Sequence, residues 1–148
     1  MIMDFTIVTP SFNYGHFIRE CLESVASQEG VTVEHLVIDP GSTDDTAKIV
    51  SEFPHATFLQ EPDEGMSDGI NKGFLRAKGE WVMWLNADDR LRPGALREVK
   101  EFAERNPPAD VIFGCWNFMD VDGRITRLMT VFPFDRAMLA NHGCYIAS

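Results

Sequence analysis

The chain has 148 residues, 45% of them hydrophobic and 24% charged, which supplies a sizeable core and sets it apart from disordered chains. Thirteen Lys and Arg stand against 23 Asp and Glu, a formal charge of -10 that repels phosphate backbones and anionic lipid, so nucleic acid is not an expected partner. No apolar run approaches the roughly 20 residues of a membrane span, the longest being stretches such as Trp81 to Leu85.

In chain order, Phe5 to Thr9 is a short β-branched run closed by Pro10 and predicts a first strand. His16 to Ser27 carries Phe17, Ile18, Cys21, Leu22, Val25 and Ala26 at helical spacing. His35 to Asp39 predicts a second strand and Gly41-Ser42 a turn. A second helix then spans about 43–53, with Ser42 and Asp45 at capping-box spacing. A third strand is expected at 56–60. Met66, Ile70, Phe74 and Ala77 define one face of a third helix, with Gly79 as its C-terminal cap. Trp81 to Leu85 reads as a strand covered on both faces. Pro93 suits the first turn of a fourth helix to Arg105 with Leu96, Val99, Phe102 and Ala103 inward, stopped by Asn106-Pro107-Pro108. Val111 to Phe118 and Arg124 to Val131 flank Asp122-Gly123, a type I′ turn signal, so a hairpin is expected there.

This alternation points to an α/β fold: three layers, α/β/α, around a mainly parallel open sheet, with an antiparallel hairpin added near the C-terminus. No internal repeat, low-complexity stretch or linker divides the chain, so a single domain over 1–148 is expected. Phe132 to Ser148 carry no clear element and read as if the chain were cut short. Met1 to Thr6 lacks the basic and apolar regions of a secretory signal, which points to the cytosol. Cys21, Cys115 and Cys144 are odd in number and far apart with no CxxC pair, so reduced, mostly buried thiols are expected. His142 and Cys144 stand two residues apart, and a surface histidine explains His142 better than a catalytic pair does.

Polar clusters fall just after each predicted parallel strand: Thr9-Pro10-Ser11-Phe12-Asn13, Asp39-Pro40-Gly41-Ser42, Glu61-Pro62-Asp63-Glu64 and Asn86-Ala87-Asp88-Asp89. Their convergence on one sheet edge is what a binding crevice requires. The first reads either as donors for a ligand or as an ordinary strand-to-helix turn. Asp39 suits hydrogen bonds from a base N–H or a ribose hydroxyl, or else a helix cap. Asp68, Asn71 and Lys72 share a helix face, where a surface ion pair between Asp68 and Lys72 is the plain alternative, and Gly65, Gly69 and Gly73 suggest close approach. Asp88 and Asp89 repel each other at a strand mouth, which favours a cation there over a role as caps for the Pro93 helix. Alternation along an extended chain puts Asn86 and Asp88 on one side, which makes Asp88 the better ligand. Oxygen ligands of this kind suit magnesium or manganese.

Taken together these residues resemble the family 2 glycosyltransferases, which have the GT-A nucleotide-sugar-binding fold with its Rossmann-like half. The matching segments are TIVTPSFNYGHFIRECLESVASQ, VIDPGSTDDT, DEGMSDGINKGFLRAKGEWVMWLNADD and the Pro93-Gly94-Ala95-Leu96 helix start, over about Phe5 to Asn106. The resemblance implies that Thr9, Pro10, Ser11 and Asn13 line the nucleotide pocket. It further implies that Asp39 reads the uracil or other base, that Asp68 and Lys72 approach the nucleotide sugar, and that Asn86 or its neighbour Ala87 lies near the ribose. Asp88 would bind Mn2+ or Mg2+. Asn86 stands where the family's D-x-D motif has its first Asp, which leaves Asp89 as a second or substitute ligand.

The activity implied is metal-dependent transfer of a sugar from a nucleotide-diphosphate sugar, a UDP-sugar, to a hydroxyl of a glycan or lipid-linked acceptor in cell-surface polysaccharide or lipopolysaccharide synthesis. The general base of the family lies well downstream of the metal motif, here beyond Ser148. The chain is therefore expected to be the donor-binding part of a longer enzyme, cytoplasmic and associated peripherally with the inner face of the membrane. A non-catalytic nucleotide-sugar-binding module is the alternative. A nucleotidyltransferase or dinucleotide oxidoreductase is disfavoured, because the chain has neither GxGxxG nor GxxxxGK followed by Ser or Thr.

Overall fold

A computed structural model describes residues 3–130 of the chain. The chain divides into two compact units, Met1–Arg105 and Asn106–Ser148. In the first, four strands form one parallel sheet: β1 (Met3–Pro10), β2 (Val33–Asp39), β3 (Ala56–Gln60) and β4 (Gly79–Trp84), in the order β3-β2-β1-β4. Four helices connect or follow them: α1 (Ile18–Ala26), α2 (Thr46–Ser51), α3 (Met66–Phe74) and α4 (Ala95–Arg105).

The register explains the layers. Phe5 and Ile7 of β1 line up with Val33 and His35 of β2 and with Trp81 and Met83 of β4, so these side chains share one face. Phe5, Ile7 and Leu85 pack there against Cys21 and Val25 of α1 and Leu96 of α4. Val37 packs against Ile18, Leu22 and Val50 from α1 and α2. The opposite face presents Val8, Leu36 and Ile38, and Phe74 of α3 packs on it. Stepping from β1 to β3 keeps α1 and α2 on one face. Returning to place β4 on the far edge of β1 with a right-handed crossover puts α3 on the other.

Helix α3 meets the sheet by a different stripe from the one its apolar residues suggest. Met66 is 59% exposed, while Gly69 and Gly73 are the buried positions. A Cβ at Gly73 would lie 2.3 Å from Val8 Cγ1, so the missing side chain is what lets the helix backbone settle on β1. Gly79 is the first residue of β4 and not a helix cap; α3 ends with Leu75 at its C-cap. Its added Cβ would lie 2.3 Å from the Thr6 backbone nitrogen. The Thr6 hydroxyl, buried between strands, donates to Glu34 Oε2 at 2.8 Å and accepts from the Gly79 N–H at 2.8 Å.

Helix α2 is shorter than the periodicity suggests, and Asp44 in place of Ser42 fastens its start: Asp44 Oδ1 accepts from the Thr46 N–H at 3.0 Å and from its hydroxyl. Helix α4 begins two residues past Pro93 with Leu96 inward, but Phe102 is 47% exposed. Lys100 Nζ reaches Asp4 Oδ1 at 2.6 Å and fastens α4 to β1; that bond, with those from Thr32, holds the Asp4 carboxyl down at about 2.

In the second unit, β5 (Trp116–Met119) and β6 (Ile125–Met129) form an antiparallel pair. Its turn is not type I′, because Gly123 alone among these residues has positive φ (76°) and its N–H donates to Asp120 O. Asp120 Oδ1 accepts from the N–H of both Asp122 and Arg124, which spends Asp120 on the turn. Cys21 is buried, as expected of a core thiol, whereas Cys115 is exposed. Asp135, His142 and Cys144 lie outside the described residues. Among the described residues no helix is long and apolar enough to cross a membrane.

Gly73→Ala should cost about 2–3 kcal/mol in urea unfolding through its contact with Val8. Val8→Ala relieves that contact, so the double variant should lose clearly less than the sum of the two single losses; strict additivity would remove close packing as the reason for the glycine.

Candidate functional site

The strand order reverses between β1 and β4, and the segments that follow these two neighbouring strands start on either side of that point. After β1, the Ser11 N–H donates to Ile38 O at 2.9 Å, which holds the loop beside the end of β2. Asn13 adopts a left-handed backbone (φ 58°), a conformation Asn tolerates better than most residues. Its N–H donates to Ser42 Oγ at 2.7 Å, and its Oδ1 accepts from the Thr43 N–H at 3.0 Å. Two residues on, the Gly15 N–H donates to Asp44 Oδ2 at 2.8 Å. The loops after β1 and β2 are thus one hydrogen-bonded body.

Asp39 is fully buried at the end of β2. Its Oδ1 accepts from the N–H of Gly41 (2.8 Å) and Ser42 (2.6 Å), and its Oδ2 accepts from the Ser42 hydroxyl at 2.5 Å. The carboxylate is spent on shaping its own turn, which is neither the helix cap nor the open base contact that the sequence allows for. Thr9 is likewise turned inward: its hydroxyl bonds His35 Nε2 at 2.8 Å beneath α1. Ala87 packs among Ile18, Leu22 and Val37. Of the first cluster, Pro10, Ser11 and Asn13 stay at the loop, and the buried Ser11 Oγ has no hydrogen-bond partner among the described residues.

Past β4 the chain turns at once. The Leu85 N–H donates to Val8 O at 2.9 Å, and the Asp89 N–H folds back to Asn86 O at 3.0 Å. The turn pairs Asn86 with Asp89 through a 2.9 Å bond from Asn86 Nδ2 to Asp89 Oδ2, so the side chains do not alternate as an extended chain would. Asp88 is left exposed, with no ion pair among the described residues, and the buried Asn86 Oδ1 has no partner. Desolvation pushes the Asp89 carboxyl up, the Asn86 bond opposes this and the adjacent Asp88 charge adds to it. Neither aspartate caps α4, whose Leu96 N–H is taken by Gln28 Oε1 at 3.1 Å.

The tips of β1 and β4 are close enough to be felt under α1. Burial pushes the Cys21 thiol up to about 12, the Thr9 hydroxyl opposes this, and the charges of Asp89 and Asp88 add to it. Fixed contacts from α1 and the residues just past it hold the segment beyond them: Glu20 pairs with Arg90 at 2.7 Å, Ser24 Oγ accepts from the Leu91 N–H, and Gln28 Nε2, two residues after the helix, donates to Arg92 O at 3.0 Å. These three side chains were not predicted; single polar residues on or next to an amphipathic helix look like its solvent face. The ring cluster of Tyr14, His16 and Phe17 beside Asn13 gave no sequence signal either.

After β3, Asp68 and Lys72 form an ion pair at 2.7 Å, the plain alternative of the sequence reading. Lys72 Nζ also donates to Pro62 O at 2.6 Å, and Asp68 Oδ2 accepts from the Glu64 N–H at 3.0 Å. Lys72 and then the Glu64 N–H hold the Asp68 carboxyl below its usual range, and Asp68 raises Lys72 in turn. Together with Pro62, Asp63 and Glu64 they line an open cleft of about 500 Å³.

The residues present fit a divalent cation in a limited way. Among the described residues no group of three His, Cys, Asp or Glu side chains converges. Magnesium and manganese, however, keep several waters and bind through one or two carboxylates plus the substrate's phosphates, and the unpaired Asp88 beside Asp89 matches that.

The sequence profile of glycosyl transferase family 2 matches residues 6–145, and the chain belongs to that family. A "PGL/p-HBAD biosynthesis glycosyltransferase" of Mycobacterium bovis is 31% identical over 151 residues, covering 97% of this chain and 57% of the relative. The chain thus spans little more than half the length of such relatives. The crystal structure of S. aureus TarS 1-349 superposes with a TM-score of 0.64 at 27% identity, over 70% of this chain and 33% of that one. Its complex with UDP-GlcNAc gives 0.64 at 21% identity, over 82% and 42%. Mannosyltransferase PcManGT from Pyrobaculum calidifontis, solved with GDP-Man and Mn2+, gives 0.63 at 25% identity, over 78% and 35%. These neighbours bear out the α/β fold with its mainly parallel sheet.

His35, behind the Thr9 hydroxyl, yields a test of the packing under the site. Burial, with His55 nearby, drives His35 from its ordinary 6.5 to about 3. The unfolded chain takes up that proton as the pH falls below about 6.5 while the folded chain does not, so stability present above 6.5 is lost on acidification. Urea unfolding at pH 7.5 and 5.0 should show a drop that His35→Gln reduces by on the order of 2 kcal/mol; equal drops in both proteins would refute the assignment.

Proposed function

We propose that this chain binds the donor in a glycosyltransferase that moves a sugar from a UDP-sugar to an acceptor hydroxyl with the help of Mn2+ or Mg2+. The observation that carries the reading is that, on the two neighbouring strands at the point of strand reversal, β1 is followed by the buried Ser11 Oγ and the pinned loop of Asn13 and β4 by Asn86 Oδ1 and the carboxylate of Asp88, with Ser11 Oγ, Asn86 Oδ1 and Asp88 unpaired among the described residues. The nucleotide sugars in the TarS and PcManGT structures and the family match support it. The acceptor is a glycan or lipid-linked sugar of a surface polysaccharide or lipopolysaccharide, in keeping with the biosynthetic name of the mycobacterial relative. The enzyme works in the cytoplasm, in peripheral contact with the membrane's inner face.

Pro10, Ser11 and Asn13 form the loop wall against the nucleoside, and the Asp39 turn supports it from beneath. Thr9 and Ala87 act from the core behind that wall. Asn86 Oδ1, without a partner among the described residues, is an acceptor suited to a ribose hydroxyl, and Asp68 and Lys72 line the open cleft after β3. Asp88, with Asp89, would hold the cation, which when bound neutralises charge developing on the leaving diphosphate. In the reaction the acceptor oxygen forms a bond to the anomeric carbon as the bond from that carbon to the diphosphate oxygen breaks. The hydroxyl proton passes to a base outside the residues assigned here.

Calorimetric titration with UDP, with and without Mn2+, tests the reading. Wild-type protein should bind UDP more tightly with Mn2+, and Asp88→Ala should lose at least about tenfold of that affinity while its metal-free binding and its urea midpoint stay the same. An unchanged metal enhancement in Asp88→Ala would remove Asp88 from the cation site.

A further inference from the structure

We infer that Ser42 is a positioning residue for the nucleotide pocket, its single hydroxyl donating to Asp39 Oδ2 at 2.5 Å and accepting the Asn13 N–H at 2.7 Å, so that the β2 tip sets the loop after β1. This rests on the donor-binding reading above.

The direction of both bonds is fixed by chemistry. An ionised carboxylate only accepts and a backbone N–H only donates, so the Ser42 proton must point at Asp39 while an oxygen lone pair faces Asn13. The hydroxyl cannot swing away freely. Ser42's own N–H and that of Gly41 are both held by Asp39 Oδ1, which fixes the backbone that carries it. On the receiving side, Asn13 sits at φ 58°, a backbone state that persists only where its surroundings hold it. Ser42 supplies one of those restraints and the Thr43 N–H on Asn13 Oδ1 the other. The Gly15 bond to Asp44 fastens the loop independently, two residues farther on. Loss of the Ser42 hydroxyl therefore frees Asn13 locally and leaves the loop attached.

Neither Ser42 bond belongs to the cation site, so the effect falls on the nucleoside end of the ligand. Ser42→Ala leaves the Asn13 N–H without a protein partner and takes one of three donors from Asp39. Ser42→Thr keeps the hydroxyl.

Titration of uridine, and of UDP with and without Mn2+, into wild type, Ser42→Ala and Ser42→Thr tests this, together with amide hydrogen exchange at Asn13. Ser42→Ala should weaken uridine and UDP by the same factor of about ten, leave the Mn2+ enhancement of UDP unchanged and speed exchange at Asn13; Ser42→Thr should restore most of each. Ser42→Cys, close in shape but a weak donor, should fall between them and serves in place of alanine should that variant unfold. Wild-type affinities in Ser42→Ala, or no recovery in Ser42→Thr, would overturn the inference and leave the donor reading standing. Wild-type protein that binds neither uridine nor UDP would overturn the donor reading and the positioning role with it, which separates the two failures.

Discussion

The site depends on β1 being covered on both faces. Phe5 and Ile7 pack under α1 and α4 while Val8 packs under α3, so a polar side chain on this strand is buried unless it lies at the tip. Thr6 and Thr9 are buried and each is hydrogen-bonded inside the protein, while Asp4 near the strand's start is tied to Lys100. At their carboxyl ends β1 and β2 leave the core past Pro10 and Asp39. A strand buried on both sides thus concentrates its uncommitted polar chemistry at its carboxyl end, and two such strands side by side bring that chemistry to one rim.

The two sides of the rim differ in how far their polar groups are satisfied. On the β1–β2 side most groups have a partner: Asp39, Ser42 and Asn13 form one connected set, and Gly15 with Asp44 a second bond between the same loops. On the β4 side Asp88 is exposed, Asn86 Oδ1 is buried without a partner, and Asp89 is pushed towards neutrality by desolvation and by Asp88. A satisfied network is rigid before any ligand arrives, whereas unsatisfied groups gain from one. On the proposed donor reading, the half of the crevice assigned to the nucleoside is accordingly preformed and the half assigned to the diphosphate is incomplete.

The fold was legible because its signals are periodic. The helical spacing in 18–26 reported burial, and burial decides secondary structure over propensity. The apolar run after Gly79 marked a strand but not, as its composition suggests, one covered on both faces: β4 is an edge strand of the sheet and Val82 is 46% exposed. What failed to read was the identity of inward neighbours. The α3 face was assigned to Met66, Ile70, Phe74 and Ala77 because size looks like core; Phe74 does pack on the sheet, but Met66 is exposed and Gly69 and Gly73 are the buried positions, Gly73 because Val8 of β1 leaves room for nothing larger. Gly79 looked like a helix cap and is a strand start pressed against Thr6. The strand-end clusters do follow the parallel strands, but Thr9 and Ala87 turn into the core and Asp39 serves its own turn. Sequence spacing places a residue on an element without showing which partner it finds across space. Ser42 and Asp45 were read as the capping pair, whereas Asp44 bonds at the α2 start, and only the neighbouring loop reveals the bonds of Ser42 and Asp44 to Asn13 and Gly15.

Charge gives the last step. A diphosphate brought beside Asp88 and Asp89 in a chain of net charge -10 meets repulsion that falls off slowly where water is partly excluded. Lys72 is the basic residue closest in sequence to the α3 start, but its ammonium is already committed to Asp68 and to Pro62 O, so little of its charge is left for a phosphate. Arg90, next to Asp89, is paired with Glu20 on α1. With these two basic groups engaged, a small divalent ion at Asp88 would, on the proposed donor reading, reverse the sign of the field beside a leaving diphosphate. The same acidity that repels a phosphate would draw such an ion in.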